Sequence, residues 1–238
     1  MELKLKLNID KLRGTIFTKQ INYSPDFVNA LSGVLVGYIP SFLTVLPQNN
    51  PNAVIPNFWE MVNPTTGEHI QFNNAKIDII INSNTPYSND VIIDFAKHCS
   101  MIFEKILSIT GQNSNRLAIA PTFYCNDSDQ NIRKFAQTIF TKNMFKTANI
   151  DNCVFNNIFR VNEKINGQDI LINYLANFYV TNRVDLVDGK SLIKEILTID
   201  FDINTFVDEN YLFDINAVKD FFTKSAQMSK EYLDFFFS

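Results

Sequence analysis

Between Ser88 and Gly111, the apolar residues Ile92, Phe95, Ala96, Cys99, Ile102, Phe103 and Ile106 return at intervals of three and four, which makes one face of the segment apolar. The pattern predicts an amphipathic helix over residues 88–110, with Ser88, Asn89 or Asp90 at its N-cap and Gly111 at the C′ position. A helix of this kind must bury its stripe against a second layer. The flanking sequence supplies that layer as strands. Residues 2–9, E-L-K-L-K-L-N-I, alternate with a period of two, so Leu3, Leu5, Leu7 and Ile9 share one face.

Residues 12–22 read as a continuation of this strand after a bend near Gly14. Ser24-Pro25-Asp26 opens a short helix running to about Val36, and Pro40, Pro47, Pro51 and Pro56 mark the connection that follows as irregular. Trp59–Val62 and His69–Phe72 flank the turn cluster Asn63-Pro64-Thr65-Thr66-Gly67, and Lys76–Asn82 is a further strand. Arg116–Tyr124 reads as one strand in which Pro121 implies an edge or a bulge. A polar loop at 126–130 leads to a short helix reaching about Phe140. Val154–Lys164 and Asp169–Asn182 form a hairpin about Asn166-Gly167, because Asn-Gly favours positive φ. Leu192–Asn204 is the last strand, and Asp214 caps a final helix.

The expected fold class is α+β: largely antiparallel mixed sheet or sheets in two strand–helix halves, with two long amphipathic helices at about 88–110 and 214–236. The 238 residues read as one domain, with sub-halves 1–125 and 150–238 joined by a polar and helical connection at 126–149.

Composition narrows the function. A net charge of -4 and a pI near 5.2 provide no general basic field for nucleic acid or an anionic membrane. Three cysteines, Cys99, Cys125 and Cys153, are odd in number and far apart, which suits a reducing compartment better than a disulfide framework. With only two histidines, His69 and His98, and no CxxC, a structural zinc site is not expected. The N-terminus lacks an apolar signal core, and the longest apolar stretch, Gly33–Leu46, is shorter than the roughly 20 residues that span a bilayer. A cytoplasmic protein without membrane contact is expected. Seven glycines and no GxxxxGK[ST] or GxGxxG leave no phosphate cradle, and no cofactor is expected.

Candidate chemistry is thin. Asp200 and Asp202, at i and i+2 of a strand, share a face and are the candidate metal ligands, joined in a nuclease or phosphohydrolase reading by Asp185 or Asp188. The same alternation with Ile199, Phe201 and Ile203 is what a half-buried strand with one wet side shows. His98 falls off the apolar stripe and reads as a surface residue, and nothing near His69 in sequence supports it as a base. Two basic clusters, Lys4–Lys19 and Arg133–Lys146, read as a solvated strand face and a short amphipathic helix. The terminal Phe235, Phe236 and Phe237 cannot all face one core from a helix; either the last turn unwinds into a groove, or they are the candidate partner contact.

Tyr38-Ile39-Pro40, Phe58-Trp59-Glu60, Gly67-Glu68-His69-Ile70-Gln71-Phe72 and the helix leading into Asn115-Arg116-Leu117-Ala118-Ile119, taken in order, resemble a sporadically distributed bacterial α+β family. The later Ile199-Asp200-Phe201-Asp202 and the closing aromatic helix also fit, whereas RLAIAPTFY stands where that family tends to read RLGLRY. The resemblance implies architecture and brings no assigned activity. The expectation is a non-enzymatic protein-binding or regulatory module, acting on another protein chain or by self-association. A defence or toxin–antitoxin module, or a chaperone-like adaptor, would suit it. The alternative is the metal-dependent hydrolase at Asp200 and Asp202.

Overall fold

In the computed structural model the described residues are 6–19, 21, 23–42, 58–73, 75–125, 127, 131–132, 154–187, 190–208 and 210–237. Ten strands form one sheet: β1 Leu7–Phe17, β2 Ile39–Phe42, β3 Phe58–Asn63, β4 Glu68–Asn73, β5 Lys76–Pro86, β6 Arg116–Ile119, β7 Thr122–Cys125, β8 Val154–Ile165, β9 Gln168–Val187 and β10 Lys190–Thr205. Three helices are described, α1 Pro25–Val34, α2 Asn89–Thr110 and α3 Ile215–Phe237. The sheet order is β2-β3-β4-β5-β1-β6-β10-β9-β8, with β7 also lying between β1 and β10. Every pairing is antiparallel, so the expected mixed character is absent from the described strands.

The strands of the two expected halves meet in this one sheet. β6 and β7 lie between β1 and β10, and that placement joins them. Pro121 accounts for their separation. It has no N–H to donate to a ladder, although its carbonyl still accepts from Phe201 N at 3.0 Å, and the paired register resumes at Thr122. The proline therefore breaks a central strand, where the sequence suggested an edge or a bulge. The other proline-marked segment also differs from expectation, because Pro40 lies within β2, an edge strand of four residues. The irregularity in β1 falls between Ile9 and Lys11 instead of at Gly14.

Gly14 has a different task. A Cβ built on it would stand 2.5 Å from Cys99 Sγ of α2 and 3.3 Å from Phe222 of α3. The two long helices can settle on the sheet at this point because β1 presents no side chain there.

Residue pairing separates the two faces. Trp59, Phe72, Ile77, Ile16 and Leu117 oppose one another across β3, β4, β5, β1 and β6, and all are buried. α1 covers this row through Phe27, whose ring meets Trp59 and Phe72 edge-on, while Trp59 and Phe72 stack at 4.0 Å. α2 and α3 pack on each other through Phe103 and Phe222 and through the Lys219–Glu104 ion pair of 2.6 Å. α3 also lays Tyr232 against Phe201 of β10.

Caps agree with the sequence. Ser24 Oγ accepts from Phe27 N, Ser88 Oγ from Val91 N and Asp214 Oδ1 from Ala217 N, and Gly111 closes α2 at φ 62°. Asn166 and Gly167, both at positive φ, turn β8 into β9. No described helix is long and apolar enough to cross a membrane.

Candidate functional site

The face of the sheet opposite α1, α2 and α3 carries a row of mostly polar residues through eight strands. Glu60, Gln71, Asp78, Thr15, Ala118, Asn204, Asn173 and Arg160 are successive direct partners. Gln71 Nε2 donates to Glu60 (3.2 Å), Thr15 Oγ1 to Asp78 (2.5 Å), Asn173 Nδ2 to Asn204 (3.0 Å) and Arg160 Nε to Asn173 (3.1 Å). Lys76 Nζ adds an ion pair to Asp78 at 2.6 Å. Glu60, Asp78, Thr15 and Asn204 are buried. A slip of one residue in any strand would drive these groups into the apolar layer, so the row fixes register.

Asp200 and Asp202 lie on this polar face, sharing it as the i, i+2 spacing requires. Asp200 accepts from Thr122 Oγ1 at 2.8 Å and from Tyr179 OH at 2.9 Å, and Asp202 accepts from Asn204 Nδ2 at 2.9 Å. The hydrogen bond to Asp200 and the charge of Asp200 reinforce the effect of burial on Tyr179, whose phenol is pushed up to about 12. Hard divalent cations take about six or more oxygen ligands. Among the described residues no group of three His, Cys, Asp or Glu side chains is placed to hold one. Asp188 and the side chain of Asp185 lie outside the described residues, as do Cys153 and the Arg133–Lys146 cluster.

Both histidines are paired to buried glutamates, on opposite faces of β4. Glu68 is on the helix side, where its carboxylate receives Tyr38 OH at 2.6 Å and His98 Nε2 of α2 at 2.8 Å. Its side chain is 4% exposed and that of His98 32%. On the other face His69 Nδ1 lies 3.1 Å from Glu60 Oε2. The short motifs around Tyr38, Glu60 and Glu68-His69 thus converge on one end of the sheet. No local pattern marks Glu68 and His98 as partners, 30 residues apart. His98 is a half-buried clasp between α2 and β4, where the sequence placed a surface residue. Its ring is oriented by a carboxylate, as that of a base would be. His98→Ala is expected to lose about 2 kcal/mol, since it strands a buried carboxylate; a fully buried pair would lose about 3–5 kcal/mol. Glu68→Gln, which removes the charge and keeps the Tyr38 hydrogen bond, is expected to lose less. Urea unfolding of the two chains measures the difference.

The third feature is at the β8 edge. Phe159, Val161 and Glu163 of β8, Tyr174 of β9, and Met228, Glu231 and Tyr232 of α3 line an open groove of about 390 Å³. Its floor is aromatic: Tyr232 meets Phe159 and Tyr174 edge-on at 5.9 and 5.5 Å. The β8–β9 turn is tied to α3, since Asp220 Oδ2 accepts from Asn166 N at 2.6 Å and Lys224 Nζ donates to Lys164 O at 2.5 Å. The groove is therefore held between two braced elements. The outer edge of β8 pairs with no described strand, and Ile158, Phe159 and Val161 on it are 57%, 39% and 44% exposed. The side chains of Phe235, Phe236 and Phe237 lie outside the described ones, although the backbone of α3 runs through Phe237.

Compared with known proteins, the chain matches no family model and no curated sequence.

Proposed function

We propose that this chain is a protein-binding module that receives an extended segment of a partner polypeptide along β8. The reading rests on the contrast between the two edges of the sheet. β2 ends one side with four residues and a proline, which offer little to a new strand. β8 ends the other with twelve residues, about 40 Å of backbone at the usual rise, and an apolar groove directly beside it. A strand added there makes main-chain hydrogen bonds to β8 and sets alternate side chains on Met228 and Tyr232. Methionine and aromatic side chains are the surfaces that interfaces favour.

The test is tagged capture at low salt, with a second, differently tagged copy of the chain expressed alongside. The wild-type chain is expected to retain one polypeptide in stoichiometric amount, and Val161→Lys, at an exposed position facing the groove, to lose it. Equal retention by both chains, or no retained polypeptide, overturns the reading.

A further inference from the structure

We infer that the groove between β8 and α3 receives a basic side chain, arginine or lysine, of the partner polypeptide. This rests on the protein-binding reading above and adds the chemistry of what is bound. It draws on the side chains that line the groove and not on the freedom of the strand edge. The walls are the first observation. Tyr232 stands at 82° to Phe159 and at 74° to Tyr174, so three rings meet nearly at right angles in one corner of the groove. Aromatic faces carry the negative end of the ring quadrupole, and rings gathered in this way attract a cation set among them.

The charges are the second observation. Phe159, Val161, Glu163 and Ile165 alternate along the side of β8 that faces α3, and Glu163 is the carboxylate in an otherwise apolar row. None of the described residues hydrogen-bonds or ion-pairs with it. Glu231 enters from α3, one residue before Tyr232, and accepts the neutral amide of Gln227 at 2.7 Å. Both carboxylates act on the ring of Tyr174: after burial, their charges are the causes that raise its phenol. The basic side chains near them in sequence are engaged elsewhere. Lys164, Lys224 and Lys230 are held by Asp169, Asp220 and Asp234, and Arg160 bonds Asn173 and lies over Phe206. Among the described residues the groove therefore carries two negative charges and no cation of its own. A guest with an apolar stem and a positive tip matches both the walls and the charges.

The probe is a display library of random segments as long as β8, 12 residues, panned against the full chain. The wild-type chain is expected to enrich segments with arginine or lysine at one fixed position. One such segment, synthesised, is expected to bind at least about tenfold more tightly than its norleucine counterpart. Glu163→Gln with Glu231→Gln keeps side-chain size and leaves the fold intact, which circular dichroism checks. The double substitution is expected to abolish the preference, whereas Asp94→Asn, an exposed acid on α2, is expected to leave it in place. The same preference in the wild-type and doubly substituted chains overturns the inference, since the attraction is then that of the net charge of -4. Enrichment without a fixed basic position also overturns it, and if those segments are lost on Val161→Lys the protein-binding reading stands alone. A library that yields no segment overturns it too; if tagged capture also retains nothing, both fall.

Discussion

Gly14→Ala is expected to destabilise the chain by about 2–3 kcal/mol, the cost of overpacking a well-filled site. The added methyl would stand 2.5 Å from Cys99 Sγ, and 3.3 Å from both Cys99 Cβ and a Phe222 ring carbon. Cys99 is fully buried on α2 and Phe222 on α3, so neither can move aside without disturbing the contact between the two helices. The clash is local, which makes it separable. Cys99→Ala alone leaves a small void and a modest loss, whereas Gly14→Ala with Cys99→Ala is expected to be more stable than the sum of the single losses by about 1 kcal/mol or more. Denaturant unfolding of the four chains closes the cycle. Strict additivity would show that the cost of the methyl does not come from its approach to Cys99.

The second large effect is expected in alkali. Burial is the foremost cause of a raised pKa at Tyr38, Tyr87, Tyr174, Tyr179, Tyr232, Cys99 and Cys125. Cys125 is pushed up to about 12 from 9.0, with the nearby Asp127 charge as the second cause. In each case the folded state holds its proton at a pH where the unfolded chain has released it. The stabilisation is therefore complete below pH 9, and it is lost as pH rises through the interval between the unfolded and folded values. Each group that titrates only in the unfolded chain steepens the fall by about 1.4 kcal/mol per pH unit. The unfolding midpoint is expected to be level in these groups up to about pH 8.5 and to drop sharply above pH 9–10. Alkylation supplies a second measurement. Cys99 and Cys125 are expected to resist iodoacetamide at pH 8 until denaturant is added, since the buried thiols stay protonated.

The elements were legible wherever a periodic run had its punctuation beside it. Ser88 and Gly111 bracket α2, Asn166-Gly167 turns β8 into β9, and Asp214 starts α3. The join between the halves was not. Nothing local to Arg116–Cys125 says that it will lie between β1 and β10, because strand order is decided by which apolar faces must be covered together. Pro121 was read through its missing donor, which is correct chemistry, but here the break separates β6 from β7 in the middle of the sheet. The polar row was invisible for a related reason. Its members come from eight strands, and each one alone looks like the wet side of its own strand. The clasp of Glu68 with His98 joins residues whose neighbours in sequence give no hint of each other. The shared face of Asp200 and Asp202 followed from spacing alone, whereas their hydroxyl and amide partners came from β7, β9 and within β10.

The position of β1 at the middle of the sheet has a consequence for synthesis. Thr15 bonds to Asp78, 63 residues later, and Phe17 O receives Ser114 Oγ, 97 residues later. β1 therefore leaves the ribosome long before either flank exists, and the far side of β6 and β7 must wait for β10. Long-range pairing of this kind is slow, because the loop entropy is lost before the contacts are gained. During that wait β1 is a strand with buried-to-be apolar residues and two bare edges, the state most open to capture by another chain. A nascent-chain assay is expected to find this protein bound by ribosome-associated holdases until about the length at which β10 emerges, and released as the central strands close.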